Sequence, residues 1–240
     1  IVHSLVQLAF GGSHKGGSGG SADDVVQAQK GGANRVELNS CLFHGGLTPS
    51  VGELIAAKEA ADLLIMAMVR PRQGGFCYTD LEFRTAMADA EQLLLHGADG
   101  LVFGFLNPDG AVDAARCREI MRLAEGKQTV FHRALDVVPD WKRALSTLID
   151  LGVTRVLTSG QAVDVHYGAE TICQMIDFAQ GAIEILPGGG IKKWNIDRIL
   201  AEIPCTQIHV SKSSEQLDRS TAGNPAIHFG GALYPPEDRY

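Results

Sequence analysis

The stretch DWKRALSTLIDLGVTRVLTSG, residues 140–160, contains one whole unit of the fold. Its first part carries apolar residues at helical spacing, Gly152 follows, and RVLT is short, apolar and β-branched. A Gly in the left-handed conformation at a helix C-terminus stops the helix and turns the chain into a strand. A strand that is apolar along its length, rather than alternating, reads as a parallel strand buried on both faces.

The same unit recurs. Gly precedes a short apolar run at Gly32 (GANRVEL), Gly97 (GADGLVF), Gly126 (GKQTVF) and Gly181 (GAIEIL), as it does at Gly152. The spacings along the chain are 65, 29, 26 and 29 residues, so the first gap holds two units. Helix and strand alternating at this interval means βαβ units. LLIMAMV (63–69) and TQIHV (206–210) supply two more strands, and SLVQLAF (4–10) supplies the first. Eight βα units in 240 residues predict an α/β fold of the TIM (β/α)8 barrel type, a single domain over 1–240. A doubly wound open sheet is the competing architecture, but no GxGxxG follows the first strand. FGGSHKGGSGGS (10–21) then falls in the loop after strand 1, as a native flexible loop or an inserted segment, with His14 and Lys15 as its only reactive side chains. The tail, 213–240, carries the apolar IHFGGALY and is expected to pack on the barrel or at a subunit interface. The N-terminal segment has a second reading, as the closing helix moved by circular permutation.

Composition narrows the function classes. A net charge of −7 disfavours a nucleic-acid partner. No apolar run is long enough for a membrane span, and no signal peptide is visible. Five scattered cysteines with no CxxC pair (41, 77, 117, 173 and 205) fit a reducing cytoplasm.

A barrel of this type keeps its chemistry at the C-terminal ends of the strands. Strand 2 offers Glu37, Asn39, Cys41 and His44 there, strand 3 Arg70 and Arg72, and strand 5 His132, Arg133 and Asp136. Strand 6 offers Thr158 and Ser159, strand 7 Gly188, Gly189 and Gly190, and strand 8 His209, Ser211 and Lys212. His132 and His209 are candidate proton carriers, with Asp136 or Glu37 as acid–base partner or orienter. Arg70, Arg72 and Arg133, the three glycines, Thr158, Ser159, Ser211 and Lys212 would bind a small anionic ligand, the glycines together with a helix starting near Lys193. Two other arrangements are open: an internal ion pair such as Glu37 with Arg70, and a metal held by His132, His209 and a carboxylate.

GGANRVELNS, GGLTPS, MVRPRQGGF, HGADGLVFG, FHRALD, RVLTSG and LPGGGI, in this order, strongly resemble the CutC copper homeostasis protein family over about residues 21–233. The resemblance implies a TIM barrel, a cytoplasmic location, self-association as a homo-oligomer such as a dimer, and Cu(I) held by cysteines at the ends of strands 1 and 2. This chain has Ala9 and Asn39 at those two places, which leaves Cys41 as the nearby metal candidate and Cys77 as a distant second. Cu(I) favours thiolate ligands, so the residues themselves point away from copper and toward an enzyme or sensor for a small anionic metabolite, phosphorylated ones included.

Overall fold

A computed structural model of the chain describes residues 5–10, 21–212, 220, 223, 224 and 226. The Gly/Ser stretch and nearly all of the tail lie outside the described residues, as do the side chains of 5–10, 43 and 212. The strands are β1 (Leu5–Phe10), β2 (Arg35–Leu38), β3 (Leu64–Met68), β4 (Gly100–Phe103), β5 (Gln128–Phe131), β6 (Arg155–Thr158), β7 (Glu184–Pro187) and β8 (Gln207–Lys212). Between them run α1 (Ala22–Lys30), α2 (Val51–Ala60), α3 (Asp80–Leu95), α4 (Ala114–Leu123), α5 (Trp141–Asp150), α6 (Val165–Ala179) and α7 (Ile196–Glu202). None of the described helices is long and apolar enough to cross a membrane.

The fold is α/β, with all strands parallel in one curled sheet ordered β7-β6-β5-β4-β3-β2-β1-β8. Gly188, just past β7, bridges His209 of β8 in the parallel sense. β1 lies between β2 and β8, with Ala9 in register with Glu37 and Ser211. The permuted alternative is thereby overturned, because residues 5–10 are a strand and not a closing helix.

The repeat has the predicted physical cause. Gly32, Gly97, Gly126, Gly152 and Gly181 all have φ between 75° and 98°, a conformation that a side chain would strain. Helix starts are equally local: Thr79 accepts from the Glu82 amide while the Glu82 carboxylate accepts from the Thr79 amide, a capping box on α3. Burial alternates along the strands between two apolar clusters. Ile65, Ala67, Val156 and Ile185 pack outward with helix residues such as Leu145 and Leu148. Met66, Met68, Val102, Val130, Leu157 and Leu186 form a second cluster made only of strand residues, filling the inside of the curl.

Below that cluster, the inward first residues of five strands form a polar layer. Arg35 donates to the Gln128 side chain at 2.7 Å and to that of Gln207 at 3.2 Å. Gln207 donates to Glu184 at 2.8 Å, and Arg155 pairs with the same carboxylate. Arg35 and Arg155 are both buried. Above the cluster lies the other polar layer, at the C-terminal ends of the strands.

Candidate functional site

Residues two positions beyond those inward starts, or four, also face inward, because side chains alternate along a strand. That parity carries Glu37 from Arg35, His132 from Gln128 and His209 from Gln207 into one mouth. They line a cavity of about 320 Å³ together with Arg70, Arg133, Gly189 and Ser211. Met68 and Leu157 from the apolar cluster give it an apolar floor, and Phe76 lines one side.

Glu37 is buried and accepts one long hydrogen bond, 3.3 Å, from Asn39 Nδ2. Its Oε2 has no partner among the described residues. Burial pushes its carboxyl up to about 7, only partly opposed by the Asn39 bond. Asn39 therefore orients this carboxyl.

His132 is buried and accepts from the Ala134 amide at Nδ1, 3.1 Å. That bond assigns the neutral tautomer with its proton on Nε2, an atom with no partner among the described residues. Burial, then the Arg70 charge, hold the imidazole down at about 3. A Cβ at Gly104 would lie 2.3 Å from His132 Cε1, so the missing side chain at 104 makes room for the ring. Phe76 covers the ring with centroids 4.8 Å apart, and the Arg70 Cζ lies 5.3 Å from the same phenyl ring. His209 is likewise buried, with Nδ1 unpartnered among the described residues, and is held down to about 4 by burial, then by Arg133 and Arg35. Both histidines were expected to carry protons near neutrality. Desolvation instead keeps both uncharged there, and the group poised near neutral pH is Glu37.

Several expected roles are corrected by the geometry. Arg70 does not pair with Glu37. Its Nη1 donates to the carbonyls of His44 and Gly46, each at 2.9 Å, and its Nη2 to that of Gly74 at 2.8 Å. It ties two loops together and lends the mouth its charge. Arg72 is outside the cavity, bound to Glu82 at 2.6 Å and to the carbonyls of Gln73, Gly75 and Cys77. Asp136 is saturated: it accepts from Arg133 Nε (2.7 Å), the Thr158 hydroxyl (2.5 Å), the Ser159 hydroxyl (2.9 Å), and the amides of Ser159 and Gln161. It is a hub that fixes Arg133 and the end of β6, with no lone pair left for acid–base work. Thr158 and Ser159 belong to that hub, away from the cavity lining.

Arg133 donates from Nε to Asp136 and from Nη2 to Ser159 Oγ (2.6 Å), so its guanidinium is held rigid at the rim, partly exposed. A Cβ at Gly189 would stand 3.2 Å from its Nη1, and Gly189 at φ 107° leaves that face open. Of the three consecutive glycines only Gly189 lines the cavity. The Gly188 amide is spent on the Thr158 carbonyl at 2.9 Å, and Gly190 packs on Asp164. The helix after them begins at Ile196, not near Lys193, and its seven residues offer no anion site. Ser211 lines the cavity, while the Lys212 side chain lies outside the described residues.

Cys41 sits just past β2 in the left-handed region, φ 50°, outside the cavity lining, and Cys77 is exposed. No group of three His, Cys, Asp or Glu side chains suited to a metal occurs among the described residues. Among the described residues no cysteine lines this mouth, so it lacks the thiolate ligands that Cu(I) favours, and His132, His209 and a carboxylate do not form a three-ligand group there.

One consequence concerns stability. The Glu37 carboxyl binds a proton more readily in the folded chain than in the unfolded one, so raising the pH from the ordinary carboxylate range toward 7 costs the folded state. Relative to Glu37→Gln, the protein is expected to lose about 2 kcal/mol between pH 5 and pH 7. Urea unfolding of both at each pH measures this; a difference that does not change with pH would mean an ordinary carboxyl.

Comparison with known proteins agrees with the motif order. The CutC family model matches residues 20–214. A CutC family protein of Treponema denticola is 52% identical over 219 residues, covering 91% of this chain and 89% of that protein. The human copper homeostasis protein cutC homolog is 40% identical over 213 residues, covering 89% and 78%. A crystal structure of CutC from Streptococcus agalactiae superposes with a TM-score of 0.77 at 30% identity, covering 86% of this chain and 97% of that one. The chain belongs to the CutC family.

Proposed function

We propose that this chain binds a small anionic metabolite at the C-terminal mouth of a complete (β/α)8 barrel formed as a single domain. The observation that carries the reading is a concentration of unsatisfied polar atoms. Of the eight buried polar side-chain atoms without partners among the described residues, four belong to Glu37, Arg70, His132 and His209, all lining one cavity. Each costs about 1–3 kcal/mol if nothing meets it, so four in residues that line one space favour a polar occupant there. Arg133, rigid and partly exposed, supplies the charge that selects an anion.

The test is thermal unfolding of the reduced protein with inorganic phosphate, sugar phosphates and small carboxylates, and separately with Cu(I). A ligand of the folded state at 100 times its Kd adds about 2.7 kcal/mol. An anion is expected to stabilise the protein, and Arg133→Ala to remove that effect while leaving the fold intact.

Copper handling is the reading that the names of the human and mouse relatives suggest. The donor set described above speaks against it at this mouth. Stabilisation by Cu(I) alone, weakened by Cys41→Ser, would favour copper over the anion.

A further inference from the structure

The unpartnered atoms differ in kind, and the difference suggests a reaction. Glu37 Oε2 is a carboxyl oxygen that can both take and give a proton near neutral pH. His132 Nε2–H is a donor on a ring that burial and Arg70 keep uncharged. Glu37 stands on β2 and His132 just past β5, three strands further round the sheet, so they face the cavity from different sides. A substrate in the cavity would lie between them. Met68, Leu157 and Phe76 present apolar surface beside it, which lowers the local dielectric and strengthens both interactions.

A carboxylate base set against a neutral imidazole donor is a pattern suited to removing a proton from carbon beside a carbonyl group. We propose, building on the anion-binding reading, that Glu37 moves a proton at the carbon next to a carbonyl in a small phosphorylated or carboxylated substrate, while His132 Nε2–H donates to the carbonyl oxygen and Arg133 holds the anionic group. In the forward step the C–H bond breaks and its proton goes to Glu37 Oε2. The C–H electron pair becomes the C=C bond of an enolate, and the C=O π pair moves onto the oxygen held by His132 Nε2–H. His132 remains neutral throughout. Returning the proton from Glu37 to the same carbon completes an exchange, with no oxidant or reductant required.

The probes are dihydroxyacetone phosphate and pyruvate, incubated with the protein in D2O and followed by proton NMR, with binding of each measured by calorimetry. At least one is expected to bind and to gain deuterium beside its carbonyl. Glu37→Gln is expected to slow this gain by about 100-fold or more with binding retained, and Glu37→Asp to restore part of it. A bound probe exchanging no faster with the protein than with Glu37→Gln overturns the proton transfer and leaves the anion-binding reading standing. Failure of both probes to bind overturns both. If Glu37→Gln does not fold, as read by circular dichroism, the Glu37→Asp variant decides: an exchange rate equal to that of the unaltered protein overturns the role of Glu37.

Discussion

Gly168→Ala is expected to destabilise the protein by on the order of 4 kcal/mol, measured by urea or thermal unfolding. A Cβ at Gly168 would stand 1.8 Å from the Ser159 carbonyl oxygen and 2.9 Å from the Gly160 Cα, both of them backbone. Gly160 returns the approach, since its own Cβ would lie 2.3 Å from the Gly168 carbonyl oxygen. No side chain can rotate away to relieve such a contact. The first turns of α6 would have to retreat from the end of β6, and that end holds Ser159, Asp136 and through them Arg133. The loss of stability should therefore come with weaker anion binding, although residue 168 is remote from the cavity lining. A change below about 1 kcal/mol would mean that α6 docks more loosely than the close contact implies.

Glu184→Gln is expected to cost about 3 kcal/mol through a different cause. The carboxylate is the one negative charge in a layer with two buried arginines, Arg35 and Arg155. Removing one partner from a buried pair leaves the other uncompensated, which costs more than the pair itself contributes. The expected loss is at the low end of that range because the Glu184 side chain is 49% exposed and partly screened. Gln keeps the shape and an acceptor for Gln207, so the variant isolates charge from packing. Replacing Arg155 with Leu in the same chain should recover part of the loss, since it also relieves the repulsion that, after burial, lowers the Arg35 proton affinity. No recovery on adding Arg155→Leu, or no loss from Glu184→Gln, would show that water already screens the layer.

Much of the fold was legible in the sequence because its signals are local. Five glycines before short apolar runs marked the helix-to-strand turns, and each adopts the positive φ that the reading required. Strand ends shifted by only a residue or two, as for β3 and β7, where the hydrogen-bond ladder rather than hydropathy sets the limit. The residue types of the mouth were also legible, but their duties were not. Arg70, Arg72 and Arg133 are alike in sequence, and only the loops around them decide which is spent on carbonyls, which on Glu82 and which stands at the rim. The charge states of His132 and His209 follow from burial, which no spacing reports. Phe76 was visible in MVRPRQGGF without any sign that it would cover an imidazole. The arginine layer at the opposite end did leave a pattern. RVEL, QTV, RVLT, EIL and QIHV each begin with a long polar residue where a buried parallel strand should not, and five such starts signal a shared polar layer.

That layer reaches the mouth without touching it. Arg35 is among the charges that keep His209 neutral, acting through a filling of Met, Val and Leu side chains that screens poorly. Among the described residues of that layer, two arginines face one half-exposed carboxylate, a net positive charge whose field an anion at the mouth would feel. A substitution made at the closed end for heat resistance would thus also retune the affinity of the open one.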